Sequence, residues 1–103
     1  MKSVVVLALG LAAGTLVSAA DAQEDLAKKD NCFACHAVDK KVVGPAYKDV
    51  AAKYRNDPKA AEKLFEKVKK GGSGVWGPVP MPPNAAVPDA DIHKLVSWIL
   101  SLK

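Results

Sequence analysis

Apolar residues recur at helical spacing in three segments of this chain. After a Gly-Pro turn at residues 44–45, apolar positions follow an i, i+3, i+4, i+7 pattern at Tyr47, Val50, Ala51 and Tyr54. The same pattern returns at Ala61, Leu64, Phe65 and Val68. Near the C-terminus, one broad face carries Ile92, Leu95, Val96, Trp98, Ile99 and Leu102. This spacing is typical of helices that bury one face, and it predicts three amphipathic helices.

Local signals predict where these helices end and add a fourth, shorter one. We expect a short helix over residues 23–29, which Asp30-Asn31 should terminate. Asp57 is expected to cap the third helix, with Pro58 at its first position and Gly71 just beyond its last turn. No segment alternates apolar and polar residues as a half-buried strand does, so the sequence predicts an all-α fold.

The segment from residue 71 to residue 88 cannot form regular structure, because it contains four glycines and five prolines. It is nevertheless apolar, with Val75, Trp76, Val79 and Met81 among its residues. Long structureless loops in compact domains are usually functional. We therefore expect this loop to wrap around something apolar.

The N-terminal residues 1–22 are predicted to be a signal peptide. Met1-Lys2 provides a charged start, residues 4–17 are uncharged and mostly apolar, and Ala20-Asp21-Ala22 offers the small residues that precede cleavage. The apolar run is shorter than the ~17–25 residues of a spanning helix, so an uncleaved anchor is the less favoured alternative. Cleavage after Ala22 leaves a single domain of residues 23–103, and cleavage after Ala20 is also compatible with the sequence.

Composition restricts both the partners and the means of stabilisation. The net charge is +4, and the basic residues are almost all lysines, without the arginine cluster or aromatic-basic pattern of a nucleic-acid-binding protein. A mature domain of about 80 residues is only marginally stable if its own hydrophobic core is its sole support. With only two cysteines in the chain, several disulfides are excluded. A cofactor that forms part of the core would supply the missing stability.

Cys32-Phe33-Ala34-Cys35-His36 has the Cys-x-x-Cys-His spacing of a c-type haem attachment site. Two thiols at this spacing can add to the two vinyl groups of one porphyrin, and the imidazole of His36 then reaches the iron. Three alternatives remain open: a redox-active cysteine pair, which would need a βαβ context, a zinc site that recruits both histidines, and coincidence.

Met81 is the candidate for the second axial ligand, because it is the only methionine after residue 22. Its neighbours Pro80 and Pro82 restrict the backbone on both sides. The alternatives are a methionine that fills a core gap and ligation by His93, which falls on the polar face of the last helix. A soft thioether favours Fe(II), and two filled axial positions favour electron transfer over catalysis at the metal.

Lysines are candidates for docking an acidic partner. Lys28 and Lys29 directly precede the cysteine motif and are the favoured pair. A second set lies along the third helix at Lys59, Lys63, Lys67 and Lys70. Since acidic residues lie beside this stripe, we favour an ordinary solvated helix face there.

Four segments resemble the short bacterial class I cytochromes c. They are CFACH at 32–36, VGPAYKDVA at 43–51, GVWGPVPMPPN at 74–84 and WIL at 98–100. The resemblance extends over nearly all of residues 23–103. Asn31 departs from it, because glycine is frequent there in the family, and an extra residue near Ala85-Ala86 puts the start of the last helix in question.

The resemblance implies about four helices wrapped around one covalently bound haem c, with His36 and Met81 as axial ligands. It also implies roles for four neighbours. The Pro45 carbonyl would accept a hydrogen bond from His36 Nδ1, and Asn84 would form a hydrogen bond near Met81. Trp76 would reach a haem propionate and Trp98 would pack close to the haem, although either indole could serve only as core.

The function that the resemblance implies is that of a periplasmic, monomeric electron carrier, not an enzyme. It would shuttle electrons between a respiratory donor and a nitrite reductase or terminal oxidase, without nucleic acid and without a membrane span in the mature chain. Two alternatives remain: a haem enzyme such as a peroxidase, and a metal-binding or disulfide module without haem. The sequence does not identify the donor or the acceptor.

Overall fold

The computed structural model describes residues 19–103, and in that range it contains four α-helices and one short 3₁₀ turn. They are α1 (Ala19–Lys29), the 3₁₀ turn (Cys32–Ala34), α2 (Tyr47–Tyr54), α3 (Ala60–Lys70) and α4 (Asp89–Ser101). Apart from two isolated bridges, no β-structure occurs in the described range. The predicted all-α class is confirmed. No helix of this range is long and apolar enough to span a membrane.

The first helix begins earlier than the sequence pattern predicted. It starts at Ala19 instead of Gln23, because alanines before the predicted start are strong helix formers. It ends before Asn31, whose φ of 62° is left-handed. The signal peptide predicted for residues 1–22 lies almost wholly outside the described residues and remains a prediction.

The third helix begins later than predicted. The helical residues start at Ala60, two positions after Pro58. Asp57 still satisfies a free backbone donor, since its Oδ1 accepts a hydrogen bond from the Lys59 N–H at 2.8 Å. The carboxylate thus stabilises a turn that leads into the helix. Gly71 follows the last turn with a φ of 72°, as its predicted role as a terminator requires.

The last helix, α4, is the central element of the fold, because it packs against α1, α2 and α3. Its apolar face is buried as predicted, at Ile92, Leu95, Val96, Trp98 and Ile99. The other helices contribute Ala27, Tyr47, Val50 and Leu64 to the same cluster. Pro88 caps α4 at its N-terminus, where its carbonyl accepts hydrogen bonds from Asp91 and Ile92.

Replacing Ile92 with alanine tests the central role of α4. Ile92 is fully buried, so the Ile92→Ala variant should lose roughly 2–5 kcal/mol of unfolding free energy. Guanidinium denaturation of the haem-loaded protein measures this loss. Ser97→Ala, on the exposed face of the same helix, is the control and should change little. A loss in Ile92→Ala no larger than that in Ser97→Ala would contradict the assignment.

Candidate functional site

The Cys-x-x-Cys-His segment folds as one tight turn. The backbone N–H groups of Cys35 and His36 both donate to the Cys32 carbonyl, at 3.2 and 3.0 Å. The left-handed Asn31 starts this turn, and asparagine tolerates that conformation better than most residues. Asn31 thus replaces the glycine frequent in the family without loss of the turn. Both cysteines are half-buried free thiols on this short segment.

The imidazole of His36 is oriented by one hydrogen bond. Its Nδ1 lies 2.9 Å from the carbonyl oxygen of Pro45. Because a carbonyl oxygen can only accept, Nδ1 is the donor, and in the neutral ring the lone pair is on Nε2. This is the tautomer that a metal-ligating histidine needs, and the carbonyl makes the ring a better donor. The contact that the resemblance implied between these two residues is present.

Gly44 makes room for the His36 ring. A Cβ added at this glycine would lie 2.5 Å from His36 Cε1 and 2.8 Å from Nδ1. The Gly44 N–H also donates to the Cys35 carbonyl at 2.7 Å, so the chain passes very close to the ring. The Gly-Pro pair therefore has two functions, since glycine admits the imidazole and proline offers the carbonyl.

The start of α2 is joined to the residues after the haem motif. The backbone N–H groups of Tyr47 and Lys48 donate to the carbonyls of Ala37 and Val38, at 2.9 and 3.0 Å. The first N–H groups of a helix have no partner within the helix, so this docking satisfies two of them. It fixes α2 against the segment that carries His36.

Tyr47 is a site residue that the sequence interpretation did not single out beyond its buried position. Its ring is stacked with that of His36, with centroids 4.9 Å apart and planes at 21°. Burial raises the pKa of Cys32, and the negative charge of Asp30 also raises it, whereas Tyr47 lowers it. Burial and the neighbouring cysteines raise the pKa of Tyr47, so its hydroxyl stays protonated.

The segment around Met81 is anchored to the end of α3. Met81 and Gly72 exchange two backbone hydrogen bonds, at 2.8 and 3.0 Å. A Cβ at Gly71 would clash with the carbonyl oxygen of Met81, so glycine is needed here both for its positive φ and for space. The backbone of Met81 is therefore held tightly, although it lies in a loop without regular structure.

Asn84 ties the other end of this segment to the same helix. Its Nδ2 donates to the carbonyls of Val68 and Pro82, at 3.1 and 3.3 Å, and its backbone N–H also donates to Val68, at 3.0 Å. Pro82 directly follows Met81, so the Asn84 hydrogen bond lies next to Met81, as the resemblance implied. Its main partner, Val68, was not anticipated.

The two tryptophans have different surroundings. Trp98 is only 6% exposed and meets the Tyr47 ring edge-on at 5.6 Å, so it lies in the core beside the His36 group. Trp76 is 42% exposed, and the Lys53 ammonium lies 5.7 Å from its ring centroid. Val75 and Val79 on the same loop are also exposed. The loop thus presents uncovered apolar surface, as a lining for an apolar cofactor would.

His93, the rival ligand, lies on the exposed face of α4. Its ring is stacked on Phe65 of α3, with centroids 4.4 Å apart. Among residues 19–103, no group of three or more histidines, cysteines and acidic residues could hold a metal ion. The described side chains therefore do not provide the four-ligand set of a structural zinc site.

These residues fit a covalently attached haem. Two free thiols stand at the required spacing, a histidine keeps Nε2 available, and a firmly held loop presents apolar side chains and a methionine. When bound, haem supplies the redox-active iron, and the chain supplies the attachment, the ligand and an apolar covering. The fold and the site together define a small all-α protein with one covalently bound haem.

Comparisons with known proteins agree with this class. Residues 20–103 match the cytochrome c family. Cytochrome c-552 of Nitrosomonas europaea is 61% identical over 84 residues, which are 82% of each chain. Cytochrome c-551 of Pseudomonas aeruginosa is 50% identical over 106 residues, which cover 100% of both. The crystal structure of the wild-type Nitrosomonas europaea protein superposes with a TM-score of 0.76 at 61% identity, over 78% of this chain and 99% of that one.

The chain belongs to the cytochrome c family. It is a small c-type cytochrome that carries one covalent haem c and transfers electrons to and from redox partner proteins, and it is not an enzyme. The predicted class I fold is confirmed. The redox-active cysteine pair, the zinc site and the haem peroxidase, which the sequence left as alternatives, are thereby set aside.

Gly44→Ala tests the fit of the His36 ring. The added methyl group has no space beside Cε1, so the imidazole should be displaced and the haem-bound protein should be markedly less stable to denaturant. The absorption spectrum should also report weakened histidine ligation. Gly74→Ala is the matched control, since a Cβ there meets nothing within 4 Å and only its φ of 101° opposes the change. A smaller effect at Gly44 than at Gly74 would contradict the argument.

Proposed function

We propose that this cytochrome is a periplasmic electron carrier whose haem iron is ligated by His36 and Met81. It would shuttle single electrons between a respiratory donor and a nitrite reductase or terminal oxidase, as a monomer cleaved from its signal peptide after Ala22 or Ala20. The observation that carries the proposal is the hydrogen bond between His36 Nδ1 and Pro45. With Nδ1 occupied in this way, Nε2 is the nitrogen that would bind iron.

The anchoring of Met81 supports its role as the second ligand. A thioether ligand must stay in place in both oxidation states, and the paired hydrogen bonds with Gly72 fix the backbone from which it projects. Pro80 and Pro82 restrict the same backbone further. A histidine and a methionine together fill both axial positions. The iron would then exchange electrons only, with a potential raised by the thioether.

The export signal in the sequence supports the periplasmic location. Residues 1–22 have the charged start, the short apolar run and the small residues of a secretory signal. Attachment of haem to a Cys-x-x-Cys-His motif takes place outside the cytoplasm, so the two features favour the same compartment. The donor and acceptor named here come from the resemblance to the short class I cytochromes c.

Lysines beside the haem motif are the proposed docking residues. Lys28 and Lys29 are exposed at the end of α1 and form no ion pair with another residue of the described range. On α3, by contrast, Lys63 is paired with Asp57 and Lys70 with Glu66, each at 2.7 Å. The acidic partners offset the field of the α3 stripe. An acidic redox partner would therefore be steered towards the α1 end.

Met81→Ala tests the second axial ligand. We expect the oxidised variant to lose the sulfur-to-iron absorption band at the red end of the spectrum. The equilibrium between Fe(II) and Fe(III) should shift at least about tenfold towards Fe(III), which corresponds to about 59 mV for one electron. His93→Ala is the control for the rival ligand and should retain both properties. A Met81→Ala variant that keeps the band would show that another group ligates the iron.

The double variant Lys28→Ala/Lys29→Ala tests steering. With hexacyanoferrate(III) as an anionic acceptor, its oxidation rate at low ionic strength should be about two- to fivefold below that of the wild type, and the difference should vanish at high salt. Lys63→Ala/Lys70→Ala removes the same net charge from residues with acidic partners and should slow the reaction less. Equal effects of the two double variants would show that only the net charge matters.

A further inference from the structure

The buried side chain of Tyr47 contacts several groups around the haem motif at once. It is 5% exposed, and its ring is stacked on His36. Its ring centroid also lies 5.6 Å from that of Trp98, in an edge-to-face arrangement, and 6.1 Å from that of Phe33, the residue directly after Cys32. One side chain thus links the proposed iron ligand to Phe33 of the haem motif and to the core helix α4.

The backbone leaves Tyr47 little freedom to move. Its N–H donates a hydrogen bond to the carbonyl of Ala37, the residue that follows His36. Tyr47 is also the first residue of α2, so the helix holds its backbone from the other side. Trp98 of α4 packs edge-to-face against the Tyr47 ring. The Tyr47 ring is therefore held by contacts other than its stacking on His36, so it can act as a fixed surface for the imidazole.

The hydrogen bond to Pro45 does not by itself define the plane of the imidazole. It holds one ring atom, Nδ1, at 2.9 Å from the carbonyl, and the ring can still rock about that contact. The Tyr47 ring covers one face of the imidazole at a nearly parallel angle of 21°. Rocking would press the imidazole against this surface on one side. Gly44 approaches the same ring so closely that even a methyl group would not fit.

We propose that Tyr47 is a positioning residue that fixes the plane of the His36 imidazole through its aromatic ring. The inference rests on the proposed function, because it takes His36 to be the iron ligand. Tyr47 does not itself bind iron. It acts by limiting the orientations in which His36 can bind it.

The orientation of an imidazole ligand has a measurable electronic consequence. In a low-spin ferric haem, the plane of the ligand lifts the degeneracy of two iron d orbitals and thereby decides which pyrrole rings carry most unpaired spin. The paramagnetic shifts of the four haem methyl groups report that distribution. These methyl shifts respond to the orientation of the ligand. A variant that is only less stable should show the wild-type shifts in the molecules that remain folded.

Two substitutions at Tyr47 separate the ring from the hydroxyl. Tyr47→Phe keeps the stacked ring and should retain the wild-type order and spread of methyl shifts in the oxidised holoprotein. Tyr47→Leu keeps an apolar side chain without a ring, so its methyl shifts should contract in spread or change in order. If Tyr47→Leu holds too little haem to measure, Tyr47→Met is the ring-free variant, since methionine adapts well to core spaces.

Tyr54 offers a matched control on the same helix. It is the only other tyrosine in the chain, it is half-buried at the last turn of α2, and it lines the surface near Lys63 and Lys67. Tyr54→Leu should leave the methyl pattern unchanged. The proposal is overturned if the ring-free Tyr47 variant keeps the wild-type pattern, if Tyr47→Phe loses it, or if Tyr54→Leu alters it as much.

The same spectra distinguish this inference from the proposed function. A wild-type spectrum without the shifted signals of an iron-bound methionine and histidine would refute the ligand assignment itself. A wild-type spectrum that shows those signals, with ring-free Tyr47 variants that match it, would refute only the positioning role of Tyr47.

Discussion

The hydrogen bond from His36 Nδ1 to the Pro45 carbonyl is the contact on which the rest of the site depends. It joins the haem motif to the turn that precedes α2, across a separation of nine residues. Gly44 must lack a side chain so that the ring can approach, and Tyr47 then begins a helix whose first N–H groups complete the connection. The missing side chain at Gly44 is needed only because the imidazole points towards it. A single orientation of one ring therefore accounts for Gly44, Pro45 and the way α2 begins.

The small size of the chain imposes a second constraint, which concerns the core. The apolar faces of the other helices pack against α4 around Ile92, but Val75 and Val79 of the loop between α3 and α4 remain exposed. Domains of about 80 residues bury too little surface to be robust without further support. The covalent haem of this family supplies that support, because its faces are apolar and its attachment restricts the chain. Folding and function thus depend on the same cofactor.

Much of this structure follows from the sequence, and the exceptions have physical reasons. Periodicity predicted the buried faces of α2, α3 and α4, because burial of one helix face imposes that spacing. Spacing alone also identified the motif from Cys32 to His36. The predicted start of α3 was two residues too early, because Asp57 stabilises a turn before the helix instead of capping the helix directly. The role of Tyr47 was missed, since a stacked ring and a core ring have the same sequence pattern.

The two sides of the proposed iron site are held in different ways. On the histidine side, the hydrogen bond from His36 Nδ1 to the Pro45 carbonyl orients the ring, together with Tyr47. On the methionine side, the ligand loop is anchored to the last turn of α3 through Gly72 and through Asn84, which bonds to Val68. Because both anchors are hydrogen bonds between uncharged groups, namely backbone amides and carbonyls and the side-chain amide of Asn84, they do not depend on the oxidation state of the iron. A carrier gains from this arrangement, since ligands that stay in place when an electron arrives leave little structure to reorganise.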